Sequence, residues 1–189
     1  MMKICGSSPV CISFLSPVDS LTASVLLAAV TEQTNRGCDD IHLFLSTPGG
    51  GVADGIAVYN VLSTLPVHLT TYNVGTVDSI GNVIYMAGKV RVAFPASRFM
   101  FHGVGFDIQS ARFELKDVKE RIAAIQNDQS LIADVLVKHS NLGIDDVNKL
   151  FLEAAFIRAN DAHERGIAHE VREIRLPKGV PIVQLVFQR

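Results

Sequence analysis

Residues 69–88 read LTTYNVGTVDSIGNVIYMAG, and this stretch decides the fold. Its first six residues are rich in β-branched, aromatic and apolar side chains, which predicts a buried strand over 69–74. Gly75-Thr76-Val77-Asp78-Ser79-Ile80-Gly81 breaks that run with small residues, and an apolar helical pattern follows to Ala87-Gly88. A strand that turns tightly into a helix is the building unit of a parallel sheet covered by helices.

The same unit occurs twice upstream. Residues 41–45 predict a strand, Thr47-Pro48-Gly49-Gly50-Gly51 a connection, and residues 52–65 a helix stopped by Pro66. Before that, residues 10–15 predict a strand closed by Ser16-Pro17. A helix over 21–33 follows, capped by Asp19 or Ser20 and closed by Asn35-Arg36-Gly37. Two short strands, 91–93 and 98–101, flank the Pro95 turn. The order strand, helix, strand, helix, strand, helix predicts an α/β fold with parallel strands buried on both faces. No linker, charge block or internal repeat divides residues 1–189, so one domain is expected.

The second half differs in character. Residues 112–138 carry a long helical pattern, charged in its first half and apolar in its second. At about 1.5 Å per residue such a helix reaches roughly 40 Å, more than a core of this size needs, so it is expected to project onto another copy. Short helices are expected over 145–152 and 160–165, and a closing strand around Ile182 and residues 185–187.

Composition narrows the function. Of 189 residues, 48% are hydrophobic and 19% charged, which leaves apolar surface for a subunit interface. Seventeen Lys and Arg against nineteen Asp and Glu give a net charge of −2, so there is no basic field for nucleic acid. Cys5, Cys11 and Cys38 lack CxxC spacing and read as reduced thiols of a cytoplasmic protein, with Cys5 and Cys11 free to be exposed. No secretory leader pattern and no membrane-length apolar run is found, so no membrane partner is expected. The six histidines show no HExxH or His-Cys grouping, and Gly-x-Gly-x-x-Gly and Gly-Lys-Ser/Thr are absent. No metal and no cofactor is therefore expected.

Three features can carry chemistry. Ser79 lies in a small-residue turn between strand and helix, where the following N–H, that of Ile80, faces the same space. Three consecutive glycines, Gly49 to Gly51, allow close backbone approach to a ligand; taken alone they read as a flexible strand-to-helix connection. His102 follows the apolar run Phe99-Met100-Phe101 and can exchange a proton near neutral pH.

Together these features resemble the proteolytic subunit of the Clp protease, over nearly the whole chain. Ser46-Thr47-Pro48-Gly49-Gly50 followed by Gly55, Tyr59 and Asn60 is similar to that family's Ser-Pro-Gly-Gly segment and the helix after it. Gly75 to Gly81 matches its nucleophile segment, and Ala87-Gly88, Pro95-Ala96-Ser97-Arg98 and Met100-Phe101-His102 match the stretch ending in its catalytic histidine. Phe156, Ala159, Ala162 and residues 166–171 resemble its late segment. The resemblance implies the Clp/crotonase spiral of strand–strand–helix units, with residues 112–140 as a projecting handle helix. It implies peptide-bond hydrolysis through an acyl-enzyme, with Ser79 as nucleophile and His102 as general base, then acid. The amides of Gly50 and Ile80 would hold the oxyanion. The partners implied are a peptide or unfolded polypeptide and further copies of the chain, assembled as stacked heptameric rings.

Two departures qualify that expectation. The third triad position falls on Ala154, where the family has an aspartate; Glu153, Asn148, Asp145 and Asp146 are the candidates to replace it. About nine residues precede the first strand, which leaves little of the family's docking loops for an unfoldase ATPase, while residues 172–189 form an extra C-terminal segment. The expected activity is therefore weak or restricted to short peptides. A catalytically silent ring subunit and a crotonase-like acyl-CoA enzyme are the alternatives.

Overall fold

A computed structural model describes residues 9–105, 112–176 and 178–187. Cys5 therefore lies outside the described residues. The chain order is β1 (Val10–Phe14), α1 (Ser20–Asn35), β2 (Asp40–Thr47), α2 (Val52–Thr64), β3 (His68–Asp78), α3 (Gly81–Tyr85), β4 (Val90–Ala93) and β5 (Arg98–Met100). Then follow α4 (Leu115–His139), α5 (Ile144–Glu153), β6 (Phe156–Arg158), α6 (Ala159–Glu164), β7 (Glu170–Val171) and β8 (Ile182–Gln184).

The helices begin where local chemistry dictates. Asp19 caps α1: its carboxylate accepts the Thr22 N–H at 2.8 Å, and the Thr22 hydroxyl accepts the Asp19 N–H at 2.9 Å. This reciprocal pair satisfies two of the donors that a helix start leaves open. Leu26 and Val30 of α1 and Val58 and Leu62 of α2 are then buried in one core with Ile41, Leu43 and Leu45 of β2.

The eight strands form one sheet in the order β6-β5-β3-β2-β1-β8, with β4 pairing β3 and β7 pairing β4. The strands of the three strand–helix units pair in parallel as expected, and the sheet is mixed because β6, a strand not expected from the sequence, pairs antiparallel with β5. The antiparallel strand is only three residues long, too short to show a period. The expected two-sided burial holds along 69–73 of β3 and fails along β2, where Ile41, Leu43, Leu45 and Thr47 are buried and the alternate residues half-buried.

β3 is the spine of the site. Its first half pairs with β4 (Thr70↔Val90 to Asn73↔Ala93), its second with β5 (Thr76↔Arg98 to Asp78↔Met100). The strand thus runs four residues beyond the expected end at 74, because Thr76 to Asp78 gain ladder partners from a segment twenty residues away. A register shift between Leu45 and Thr47 lets β2 follow that change of direction, a bulge of the kind that re-aims side chains near a site.

α4 occupies the expected long-helix segment but starts at Leu115 rather than 112, with Glu114 as its N-cap. Its C-terminal end is tied to the body by Arg91. That guanidinium is buried and donates to the carbonyls of His139 (2.6 Å), Ile167 (2.8 Å) and Gly166 (3.0 Å). Burial pushes its pKa down. The C-terminal strand includes Ile182 as expected but ends at Gln184, short of 185–187; it pairs with β1 and is followed by Phe187, whose ring meets Phe14 edge-on at 6.0 Å. Cys11 is fully buried, contrary to the exposure open to it from sequence.

Candidate active site

The turn from β3 into α3 is reduced to two residues. Ser79 has φ +57° and Ile80 is helical (φ −61°, ψ −19°). A positive φ on a non-glycine residue is strained by roughly 1–3 kcal/mol and persists only where its surroundings enforce it. Here they do. The Ser79 N–H donates to Met100 O at 2.8 Å, and the Ser79 carbonyl accepts from the Asn82 N–H at 3.0 Å. The Asn82 side-chain amide closes the arrangement, donating to Ser79 O (3.0 Å) and Met100 O (2.8 Å). Asn82 is buried and was not singled out from sequence. Its signal was present: one amide in the apolar run Ile80 to Met86.

The glycine connection presses against this turn. A Cβ on Gly49 would lie 2.6 Å from Ser79 Cβ and 2.8 Å from Asp78 O, and Gly49 has φ +87°. Only glycine fits both demands. The loop is pinned, not loose: Val18 N–H donates to Gly49 O and Gly51 N–H to Val18 O, each at 2.8 Å. This corrects the flexible-connection reading. Among the described residues, no hydrogen bond uses the N–H of Gly50 or of Ile80.

His102 follows β5 by two residues and is half-buried, as is Ser79. Its Nδ1 lies 2.8 Å from the Gly103 carbonyl. A carbonyl can only accept, so Nδ1 carries a hydrogen, and in the neutral ring this leaves the lone pair on Nε2. That is the tautomer a general base needs. Among the described residues no direct hydrogen bond joins the Ser79 hydroxyl to His102; Met100 links them, with its carbonyl on Ser79 N–H and its chain leading to His102.

The segment after α5 runs beside His102. Phe101 N–H donates to Ala155 O at 2.9 Å and Gly103 N–H to Phe151 O at 3.2 Å, so His102 is bracketed by residues bonded to 151 and 155. Ala154 sits between those two, with φ +49° as the C-cap of α5. Among the candidates to support His102, Glu153 is exposed and lies 4.0 Å from Lys149. Asp146 accepts the Gly143 N–H at 2.9 Å, and Asp145 and Asn148 are exposed on α5. Asp78, next to Ser79, is buried and accepts the Thr76 hydroxyl.

Among the described residues, no three His, Cys, Asp or Glu side chains gather as metal ligands, and no helix is long and apolar enough to cross a membrane. A strained serine, a histidine with a free Nε2 and backbone N–H groups beside them suit acyl transfer. Compared with known protein families, the chain matches the Clp protease model over residues 9–175. The match spans the three N-terminal strand–helix units, the Ser79 turn, His102, α4 and the late segment, and the chain belongs to the Clp protease family.

Proposed function

We propose that the chain is a serine peptidase that cleaves short peptides slowly through an acyl-enzyme. The observation that carries this reading is the strained Ser79 turn, held by Met100 and Asn82 with Gly49 packed on it. The Ser79 hydroxyl attacks the scissile carbonyl as His102 Nε2 takes its proton. The N–H groups of Gly50 and Ile80 hold the resulting oxyanion. The imidazolium then protonates the leaving amine, and water, deprotonated by the same nitrogen, releases the acid from the ester. Gly103 O does in part what a carboxylate does in a full triad. It fixes the tautomer, but as a neutral acceptor it stabilises the imidazolium less.

On the same reading residues 1–189 form one domain of the Clp/crotonase spiral, with α4 as its handle and 172–189 as an added segment. The chain works in the cytoplasm as a homo-oligomer, as stacked rings on the family pattern. Initial rates on fluorogenic short peptides test the activity. Wild type should exceed both Ser79→Ala and His102→Ala; three equal rates would reject it. A second reading, a silent subunit of a mixed ring, is favoured by Ala154 and would be supported by that null result.

A further inference from the structure

A cavity of about 730 Å³ opens beyond the carboxyl ends of β2 and β4, lined by Ser46, Thr76, Ser97, Arg98 and Arg158 among others. Ligands of sheets with parallel strands favour that edge, and the volume suits a side chain with its neighbours rather than a lone ion. Neither Ser79 nor His102 lines it.

Two of its walls are cationic in an unusual way. Arg98 and Arg158 are direct cross-strand partners in the antiparallel β5–β6 pair. Residues so placed project to the same face at close quarters, and like charges there oppose pairing. Among the described residues neither guanidinium has a carboxylate partner. Arg98 is held in place by stacking, its guanidinium carbon lying 4.9 Å from the centroid of the Phe156 ring.

The third observation is independent of charge. Ser97 is 4% exposed, lines the same cavity, and its hydroxyl has no hydrogen-bond partner among the described residues. Buried hydroxyls are nearly always paired. The Thr76 hydroxyl is already committed to Asp78 and the half-buried Ser46 oxygen accepts the Thr76 N–H at 3.4 Å, so Ser97 is the buried hydroxyl left without any partner. Two guanidiniums and one unspent hydroxyl around one space make a receptor for a carboxylate.

We propose that this cavity binds an acidic side chain of a peptide, gripped by Arg98 and Arg158 with Ser97 as the third donor. That the ligand is a peptide rests on the peptidase reading; that the cavity takes a carboxylate does not. Arg98 precedes His102 by four residues, two of them beyond the end of β5, and four residues span at most about 13 Å at ~3.3 Å each, so the preferred acid stands within about four residues of the cleaved bond.

Fluorescence anisotropy with labelled octapeptides that differ only by Glu against Gln tests this. The Ser79→Ala protein is used so that binding is read without cleavage. The Glu peptide should bind at least tenfold tighter than the Gln peptide. Arg158→Gln, an exposed change that leaves the core intact, should bring that ratio close to one, and Arg158→Lys should retain part of it. Equal binding of the two peptides overturns the proposal, as does a ratio unchanged by Arg158→Gln. If Arg158→Gln instead dissociates an assembly and leaves the ratio unchanged, the guanidiniums serve a second copy and the proposal fails. A Glu preference in a protein whose intact Ser79 cleaves nothing would sink the peptidase reading alone.

Discussion

Replacing Ala154 by Asp should speed acylation of Ser79, and the size of the gain follows from what already holds His102. Residue 154 lies between Phe151 and Ala155, whose carbonyls accept from Gly103 and Phe101 on either side of the histidine. It also has φ +49°, a conformation that costs most L-residues roughly 1–2 kcal/mol but that Asp and Asn adopt readily. The substitution should therefore leave stability within about 1 kcal/mol of wild type or raise it. Neutralising the acid of a full triad costs about 10⁴ in turnover in the well-studied serine proteases. Here Gly103 O already fixes the tautomer, so only the charge stabilisation of the imidazolium remains to be gained. A hydrogen bond to a charged group exceeds a neutral one by about 1–2 kcal/mol, which is about five- to thirtyfold in rate. Ala154→Gly separates the two effects, since it relieves the same strain without adding a carboxylate. Rapid-mixing measurement of acylation by an activated ester reads the rates. A gain in Ala154→Gly equal to that in Ala154→Asp, or no gain in either folded variant, would refute the reasoning. So would a severe loss in Glu153→Gln, because exposed Glu153 lies near Lys149 and has no described contact with His102.

Three further outcomes are expected. Gly49→Ala should cost more than about 1 kcal/mol in urea unfolding and nearly all acylation, because its Cβ meets Ser79 Cβ at 2.6 Å and φ is +87°; a stable, active variant would show that the loop yields. His139 and His169 have pKa values lowered from 6.5, by burial first and then by the Arg91 charge, so the unfolded chain binds more protons below that pH. Stability is then full above about pH 6.5 and is lost as pH falls through the lowered values; a urea midpoint no lower at pH 5.5 than at 7.5 would contradict this. Val118 and Ile122 are exposed four residues apart on α4, so Ile122→Glu should weaken self-assembly, and an unchanged sedimentation profile would place the contact elsewhere.

Local chemistry made part of this molecule readable. The β2–α2 and β3–α3 units announce themselves through apolar runs that end in glycine-rich turns, and the Asp19 cap is a short-range device. The extension of β3 through Gly75 to Asp78 was hidden because its glycine and small residues look like a turn; pairing with β5, distant in sequence, makes it strand. β6 and β7 are three and two residues long and carry no period. At the site, Ser79 and His102 were legible as residue types in a suggestive order. The Gly103 carbonyl against Nδ1 was not, since a backbone acceptor leaves no mark on side-chain sequence. Arg91 looked like the start of a strand. Its role as a clamp on the ends of α4 and α6 depends on carbonyls that only the folded chain brings together.

Covalent labelling with a fluorophosphonate, read by intact mass and then by peptide mapping, tests the nucleophile most directly. One adduct per chain is expected on wild type, mapped to Ser79, with none on Ser79→Ala and slow labelling of His102→Ala. An adduct that persists in Ser79→Ala, or an assembled wild-type protein that takes no label, would contradict the assignment.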